Sequence, residues 1–318
     1  MRKIAIINQK GGVGKTTTSV NIAAGLSRNG KKVIIVDLDP QGDISACHNV
    51  DAKKNLYDII VEDVELEKAI TKLGRNLDII HSDIKLAEAE QKLMETGAAI
   101  DILEKRFTPK LDYDYVILDC PPSFRHLSKC ALFYAKEIII PTSTDFLGYN
   151  SLLKTIQTIT NFTNETDIKH DVSLIIPTMF DKRRKLCVST LNKIRHEFGQ
   201  QIVSVPVRSN SKLGEAPQHK KSIFNYDAKS TGAEDYLNIV KHLIDTERIY
   251  DTRFPSDKRQ RAMKEYFGNG KKGFFEDDSA IKEAKKIIEA KNIVQDDEDE
   301  EELENEQKID KYNYSLNF

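Results

Sequence analysis

The sequence predicts an α/β fold, a mostly parallel sheet sandwiched by helices, with a C-terminal extension that is partly helical or disordered. Three observations carry this expectation. Short apolar runs alternate with longer amphipathic stretches along residues 1–247, the pattern of strand–helix–strand units. The first apolar run passes at once into a glycine-rich turn and an apolar-periodic helix. Two further runs end in aspartate, around Asp37 and at Asp119, and strand carboxyl ends are where open α/β sheets bind ligands.

Taken in order, residues 2–8 read as a buried strand and residues 16–28 as the helix after the glycine turn, with Gly30 as its stop. Residues 32–36 form a second strand, apolar on both faces as in a covered parallel sheet. Residues 55–60 and 66–70 are short helical pieces, and 77–81 is a strand. Residues 84–107 form a long amphipathic stretch interrupted at Gly97. Residues 115–119 are a strand stopped by Pro121-Pro122. Strands at 137–141 and 172–177 alternate with helices at 147–162 and 187–198. Residues 202–205 and a helix over 233–246 complete the set. A last helix is expected over 280–290. This divides the chain into a domain at 1–249, a basic and helical extension at 250–295, and an acidic, disordered tail at 296–318.

The turn itself reads Gln9-Lys10-Gly11-Gly12-Val13-Gly14-Lys15-Thr16-Thr17-Thr18. Glycines let backbone N–H groups turn inward, and the start of the helix adds partial positive charge, so the segment makes a phosphate cradle. Lys15 can neutralise the outer phosphates and the Thr16 hydroxyl can hold Mg²⁺. The usual spacing places a glycine five residues before Gly14; here Gln9 stands there, and a second lysine, Lys10, precedes the paired glycines. The apolar run ending at Asp119 is a Walker-B pattern, with its acid close to the Mg²⁺ shell.

Composition excludes several classes. No apolar run approaches the ~18 residues that span a membrane. The four cysteines, Cys47, Cys120, Cys130 and Cys187, contain no C-x-x-C pair, which favours a reduced, cytoplasmic protein without a cysteine metal site. The seven histidines form no ligand pattern. The net charge of −2 hides an asymmetry: residues 296–306 hold nine acids, and the rest has 48 basic residues against 41 acidic ones. A basic body beside an acidic tail fits a polyanion-binding surface.

The Lys-Gly-Gly-Val-Gly-Lys-Thr-Thr loop resembles the deviant Walker A of the ParA/MinD superfamily of P-loop NTPases. The motifs Val36-Asp37-Leu38-Asp39-Pro40-Gln41-Gly42, Leu118-Asp119-Cys120-Pro121-Pro122-Ser123, Thr178-Met179-Phe180-Asp181 and Glu215-Ala216-Pro217 follow in the order of ParA/Soj partition ATPases. The resemblance covers about residues 1–247. It implies ATP and Mg²⁺ held by Lys10, Gly11, Gly12, Val13, Gly14, Lys15, Thr16 and Thr17. Lys10 would act in trans on the partner's nucleotide in an ATP-bound homodimer, Lys15 on its own phosphates. Asp39 would hold the attacking water, and Asp39 and Asp119 would meet Mg²⁺ through water beside Thr16. Pro206, Arg208 and Asn210 fall where the family lines its adenine pocket. Hydrolysis is expected to be weak without DNA and partner.

Lys182-Arg183-Arg184-Lys185 packs four cations into a predicted loop, and Arg195, Lys212, Lys220 and Lys221 lie on elements that the family brings near the same face. Such a surface holds phosphates with little base preference. The resemblance therefore implies nonspecific double-stranded DNA, a centromere-binding ParB-like partner, and a cytoplasmic, nucleoid-associated protein. The glycine loop begins within ten residues of Met1, so operator-specific autoregulation through a preceding helix-turn-helix is not expected. Two other readings stay open: a MinD-like membrane-cycling ATPase, and a nonenzymatic, ATP-dependent DNA-binding or filament scaffold. Against the first, the short apolar stripe at Ile281, Ala284, Ile287 and Ile288 is followed by nine acids that anionic lipid repels.

Overall fold

The computed structural model describes residues 1–267 except 49, 51, 96, 98, 108–110 and 252–255. The helix expected over 280–290 and the acidic tail lie outside the described residues. The chain opens with β1 (Arg2–Ile6), α1 (Lys15–Arg28), β2 (Val33–Asp37), α2 (Asp43–His48), α3 (Leu56–Val61) and α4 (Leu66–Ala69). Next come β3 (Thr71–Gly74), β4 (Leu77–Ile80), α5 (Lys85–Glu95), α6 (Ile102–Phe107), β5 (Tyr115–Asp119) and α7 (His126–Ala135). Then follow β6 (Glu137–Ser143), α8 (Phe146–Thr166), β7 (Asp171–Thr178) and α9 (Lys185–Phe198). The described chain ends with α10 (Ser211–Gln218), α11 (Ile223–Tyr226), α12 (Thr231–Asp245), α13 (Glu247–Tyr250) and α14 (Ser256–Phe267).

One seven-stranded sheet has the order β3-β4-β2-β5-β1-β6-β7, parallel throughout except for the antiparallel β3 edge. Alternation along the strands divides the core. Ile34 and Val36 of β2 join the cluster under α3, α5, α7 and α8, while Val33 and Ile35 face the cluster under α1 and α12. Apolar residues on both faces of β2, β5 and β6 are what a sheet covered on both sides requires. On the second face α1 lies tight against its neighbours: a Cβ on Gly25 would sit 2.5 Å from Val240 Cγ2. Among the described residues no helix is long and apolar enough to cross a membrane.

Connections from β1 run toward one edge of the sheet and those from β5 toward the other, so the carboxyl end of β1 is a switch point. The register sets Ile6 beside Asp119 on one side and Ile139 on the other, and Asp37 beside Asp119. The loop after β1 thus emerges between the aspartates of β2 and β5 and the end of β6.

Several elements differ from expectation. Edge strand β3 and helices α7, α10 and α11 were not anticipated: β3 is four half-exposed residues, and α10 carries Gly214 and Pro217. Residues 202–205 touch β7 through an isolated bridge, Ile175 to Val203, rather than forming a strand. Lys185 is the first residue of α9, so only Lys182, Arg183 and Arg184 of the basic run lie in the turn before it. Tyr250 and Asp251 pack onto the body: the Arg2 guanidinium lies 5.0 Å from the Tyr250 ring centroid, and Asp251 pairs with the Met1 amine.

Candidate active site

The loop from Ile7 to Gly14 is shaped by Asn8, which is fully buried. Its Nδ2 donates to Pro141 O at 2.8 Å, and its Oδ1 accepts from Lys10 N at 2.9 Å and Ser151 Oγ at 2.6 Å. One side chain therefore fastens the loop to β6 and α8. Gly12 (φ 72°) and Gly14 (φ 89°) take left-handed conformations that a Cβ disfavours. Gly14 O receives the first helical bond of α1 from Thr18 N. Val13 is buried, and its carbonyl accepts from Thr178 Oγ1 at 2.9 Å, tying the loop to the end of β7. Nothing lies within 4 Å of a Cβ built on Gly11 or Gly12, so the loop presents an open rim of backbone at a helix N-terminus.

The two lysines flank this rim in the chain. Lys15 is buried and its Nζ donates to Lys10 O at 3.2 Å. Burial lowers its pKa, opposed by the charges of Asp119 and Asp39. Lys10 Nζ lies 3.3 Å from both Ser143 Oγ and Asp145 Oδ1 of its own chain. Burial works to raise the Asp145 pKa, but hydrogen bonds from Ser143, Gly148 N and Lys10 outweigh it and hold it below the usual carboxylate range.

The acids face the lysines from the other side. Asp119 is wholly buried and pushed up to about 6, mainly by burial, against hydrogen bonds from Ser19 and Thr16 and the Lys15 charge. Ser19 Oγ donates to its Oδ1 at 2.7 Å. Asp37 is also fully buried, and burial with the neighbouring Asp119 charge raises its pKa well above the ordinary value. Its Oδ1 accepts from Asp39 N at 3.0 Å, and its Oδ2 has no hydrogen-bond partner among the described residues. Asp39 is half-buried; its Oδ1 accepts from Gln41 N, and its carbonyl accepts from Ser82 Oγ at 2.6 Å.

Two adjacent buried carboxylates, one with an orphaned oxygen, and a threonine hydroxyl make an all-oxygen donor set that suits a hard cation such as Mg²⁺. Among the described residues no group of three or more His, Cys, Asp or Glu could hold a metal by itself, so phosphate oxygens would have to complete the shell.

The remaining expected site residues are spread more widely. Val207 N donates to Pro177 O, and Ser209 N to Phe180 O, which sets Pro206, Arg208 and Asn210 beside the same end of the sheet. The Arg208 guanidinium is gripped by Asp235 (2.6 Å) and Glu234 (2.7 Å) of α12. Asn210 caps α10 through Lys212 N and donates to Thr231 Oγ1. Of the basic residues, Lys182, Arg183 and Arg184 surround the start of α9, with Arg183 paired to Asp181 at 2.8 Å. Arg195 lies in the last turn of that helix, about 15 Å further along. Lys212 pairs with Glu215 on α10, and Lys220 and Lys221 follow that helix. Sequence reasoning passed over Asn8, Ser19, Ser143 and Asp145, and met Thr178 only as part of a motif. Asp145 carried a legible signal, an aspartate just ahead of an apolar-periodic helix, which it caps through Gly148 N.

Comparisons with known proteins agree with this geometry. A family model described as an AAA domain matches residues 1–172. The chain is 38% identical over 250 residues to the sporulation initiation inhibitor protein Soj of Bacillus subtilis, covering 76% of this chain and 97% of that protein. It is 30% identical over 256 residues to the chromosome partitioning protein ParA of Caulobacter vibrioides, covering 78% and 96%. Among solved structures, cobyrinic acid a,c-diamide synthase from Mycobacterium smegmatis, with bound ADP and magnesium, superposes with a TM-score of 0.66. It is 27% identical, over 77% of this chain and 94% of that one. Cradle, paired lysines, strand-end acids and matches over nearly the whole length of these relatives converge: the chain belongs to the ParA/Soj family of partition ATPases.

Proposed function

We propose that this protein is a DNA-segregation ATPase that binds ATP with Mg²⁺, dimerises on ATP, and then loads onto double-stranded DNA of any sequence, at the nucleoid in the cell. A centromere-bound, ParB-like partner stimulates a hydrolysis that is weak alone, and the DNA is released. The observation that carries this reading is Lys15 buried at the glycine turn within the field of Asp119 and Asp39, with a second lysine, Lys10, opening the same turn. A single lysine suffices to bind phosphate. A second one, held at the rim by Ser143 and Asp145, is suited to reach a nucleotide across a two-fold interface.

In this reading the Gly11–Gly14 backbone and Lys15 hold and neutralise the phosphates, and Thr16 ligates Mg²⁺, with Asp119 and Asp39 meeting it through water. The cation supplies charge neutralisation at the phosphoryl group. Asp39 orients the attacking water; its backbone is anchored by Asp37 and Ser82, which limits the side chain's wander. Pro206, Arg208 and Asn210 border the base, and Lys182, Arg183, Arg184, Lys185, Arg195, Lys212, Lys220 and Lys221 provide the DNA phosphate contacts.

Asp39→Ala tests the cycle. The variant should bind ATP normally, hydrolyse it at least a hundredfold more slowly, and stay on DNA as a dimer in a salt-stable pull-down. Hydrolysis at the wild-type rate overturns the role of Asp39, and failure of ATP to promote DNA retention overturns the cycle.

A further inference from the structure

Opposite the nucleotide rim, about 20 Å away along α1, a second cleft opens at that helix's far end. Its volume is 670 Å³, within the range of small-molecule sites. Three elements build it: the last turn of α1 with Arg28, the β3–β4 hairpin turn with Arg75 and Asn76, and the start of α11 with Ser222 and Asn225. No Asp or Glu lines it among the described residues.

Among the described residues, neither guanidinium here is tied to a carboxylate. Arg75 makes no ion pair among the described residues. Arg28 has no carboxylate partner there either; it donates to Asn225 Oδ1 at 3.1 Å and lies 5.9 Å from the Phe224 ring centroid. Ser222 is 6% exposed, and its buried hydroxyl has no hydrogen-bond partner among the described residues, which costs stability unless something supplies one. The wall is fixed in advance: the buried Asn21 of α1 accepts from Ile223 N at 2.8 Å and donates to Thr17 O at 2.8 Å. Leu73 and Leu77 add an apolar side.

We propose that this cleft is a binding site for a small phosphorylated anion, distinct from the nucleotide cradle. Two guanidinium groups match a phosphate dianion in charge and in fork geometry, whereas a lone carboxylate would leave donors unused. The hydroxyl and the two amides supply the remaining neutral partners, and the leucines leave room for a short carbon skeleton. The site stands independently of the proposed DNA-segregation cycle.

The test is a calorimetric titration of the full chain, first saturated with MgADP so that the cradle is occupied, with inorganic pyrophosphate as the probe. One equivalent should bind, and the Arg28→Ala/Arg75→Ala double variant should weaken it at least tenfold while its melting temperature and ADP affinity stay unchanged. Both side chains are exposed, so folding should survive; Arg75→Glu, confined to the hairpin turn, repeats the test should the double variant misfold. In protein without ADP a further equivalent reports the cradle, so the two sites fail separately. Absence of binding to the MgADP-loaded protein, or equal affinity in both variants, overturns the proposal. So does a parallel arm in which the double variant loses affinity for a short DNA duplex while pyrophosphate fails to bind, because the cleft would then hold the DNA backbone instead.

Discussion

Arg2→Met should cost about 3–5 kcal/mol of folding stability, the penalty for breaking a buried ion pair by removing one partner. The guanidinium is wholly buried, and the Glu137 side chain is 7% exposed. Nε donates to Oε2 at 3.1 Å and Nη2 to Oε1 at 2.5 Å, while Nη1 donates to the carbonyl of Leu243. Burial opposes the charge on Arg2, but the carboxylate beside it wins and its pKa stays raised. Methionine fills much of the same volume, so the loss is electrostatic: Glu137 keeps its burial and loses its two-pronged cation. With a urea slope of ~2–3 kcal/mol/M for a domain this size, the unfolding midpoint should fall by about 1–2 M. Arg2→Met/Glu137→Leu removes both charges together, and should recover most of the loss. Arg2 begins β1 and the cradle follows its other end, ~16 Å away, so ADP affinity should stay constant. A single-variant loss below about 1 kcal/mol, or a double variant as unstable as the two singles combined, would refute the argument.

Three other outcomes follow from the geometry. A Cβ on Gly148 would lie 2.1 Å from Ser143 O, so Gly148→Ala must push apart the turn that holds Lys10. It should cost about 1–3 kcal/mol by thermal melting, and a melting curve matching wild type would contradict this. Lys10→Ala should reduce ATP-dependent dimerisation in sedimentation velocity at least tenfold more than it reduces ATP affinity; equal dimerisation removes the role in trans. His170 is buried, and burial lowers its pKa to about 4 from an ordinary value near 6.5. The unfolded chain therefore takes up a proton that the folded one refuses, and stability falls as pH drops from 6.5 toward 4. His170→Gln should flatten that slope, by on the order of 3 kcal/mol at the acid end. An unchanged pH dependence of the urea midpoint would rule this out.

The fold was legible wherever both faces of a strand are covered. Strands β2 and β5 announce themselves as unbroken apolar runs because each residue meets a helix on one side or the other. Strand β3 was missed for the same physical reason turned around: Thr71-Lys72-Leu73-Gly74 pairs on one edge only and leaves alternate residues exposed, so composition carries little trace of it. Helix α10 hides behind Pro217, which removes an i→i−4 hydrogen-bond donor and so reads in sequence as a break rather than a helix. Helix α7 follows the Pro121-Pro122 stop after a short turn, and its mixture of small and apolar residues gives only a weak amphipathic signal.

The site was legible where chemistry demands a fixed spacing and obscure where it depends on what lies opposite. Glycines, Lys15 and Thr16 must follow one another in a single turn, so the chain itself displays them. The partners of Lys10 come from residues 143 and 145, brought near only because β6 lies beside β1 in the sheet. Charge is subject to the same limit, because a basic residue in the sequence is not necessarily a free cation in the fold. Arg183 pairs with Asp181, Lys212 with Glu215, and Arg208 with Asp235, so the basic run overstates the positive surface at rest. The first two are exposed pairs that add little to stability, and a phosphate can displace the carboxylate at little cost. Arg208 grips a carboxylate that is 6% exposed, and the same exchange there would leave that charge buried. By this reasoning Arg183 and Lys212 remain available to the proposed DNA contact, whereas Arg208 is retained by the fold.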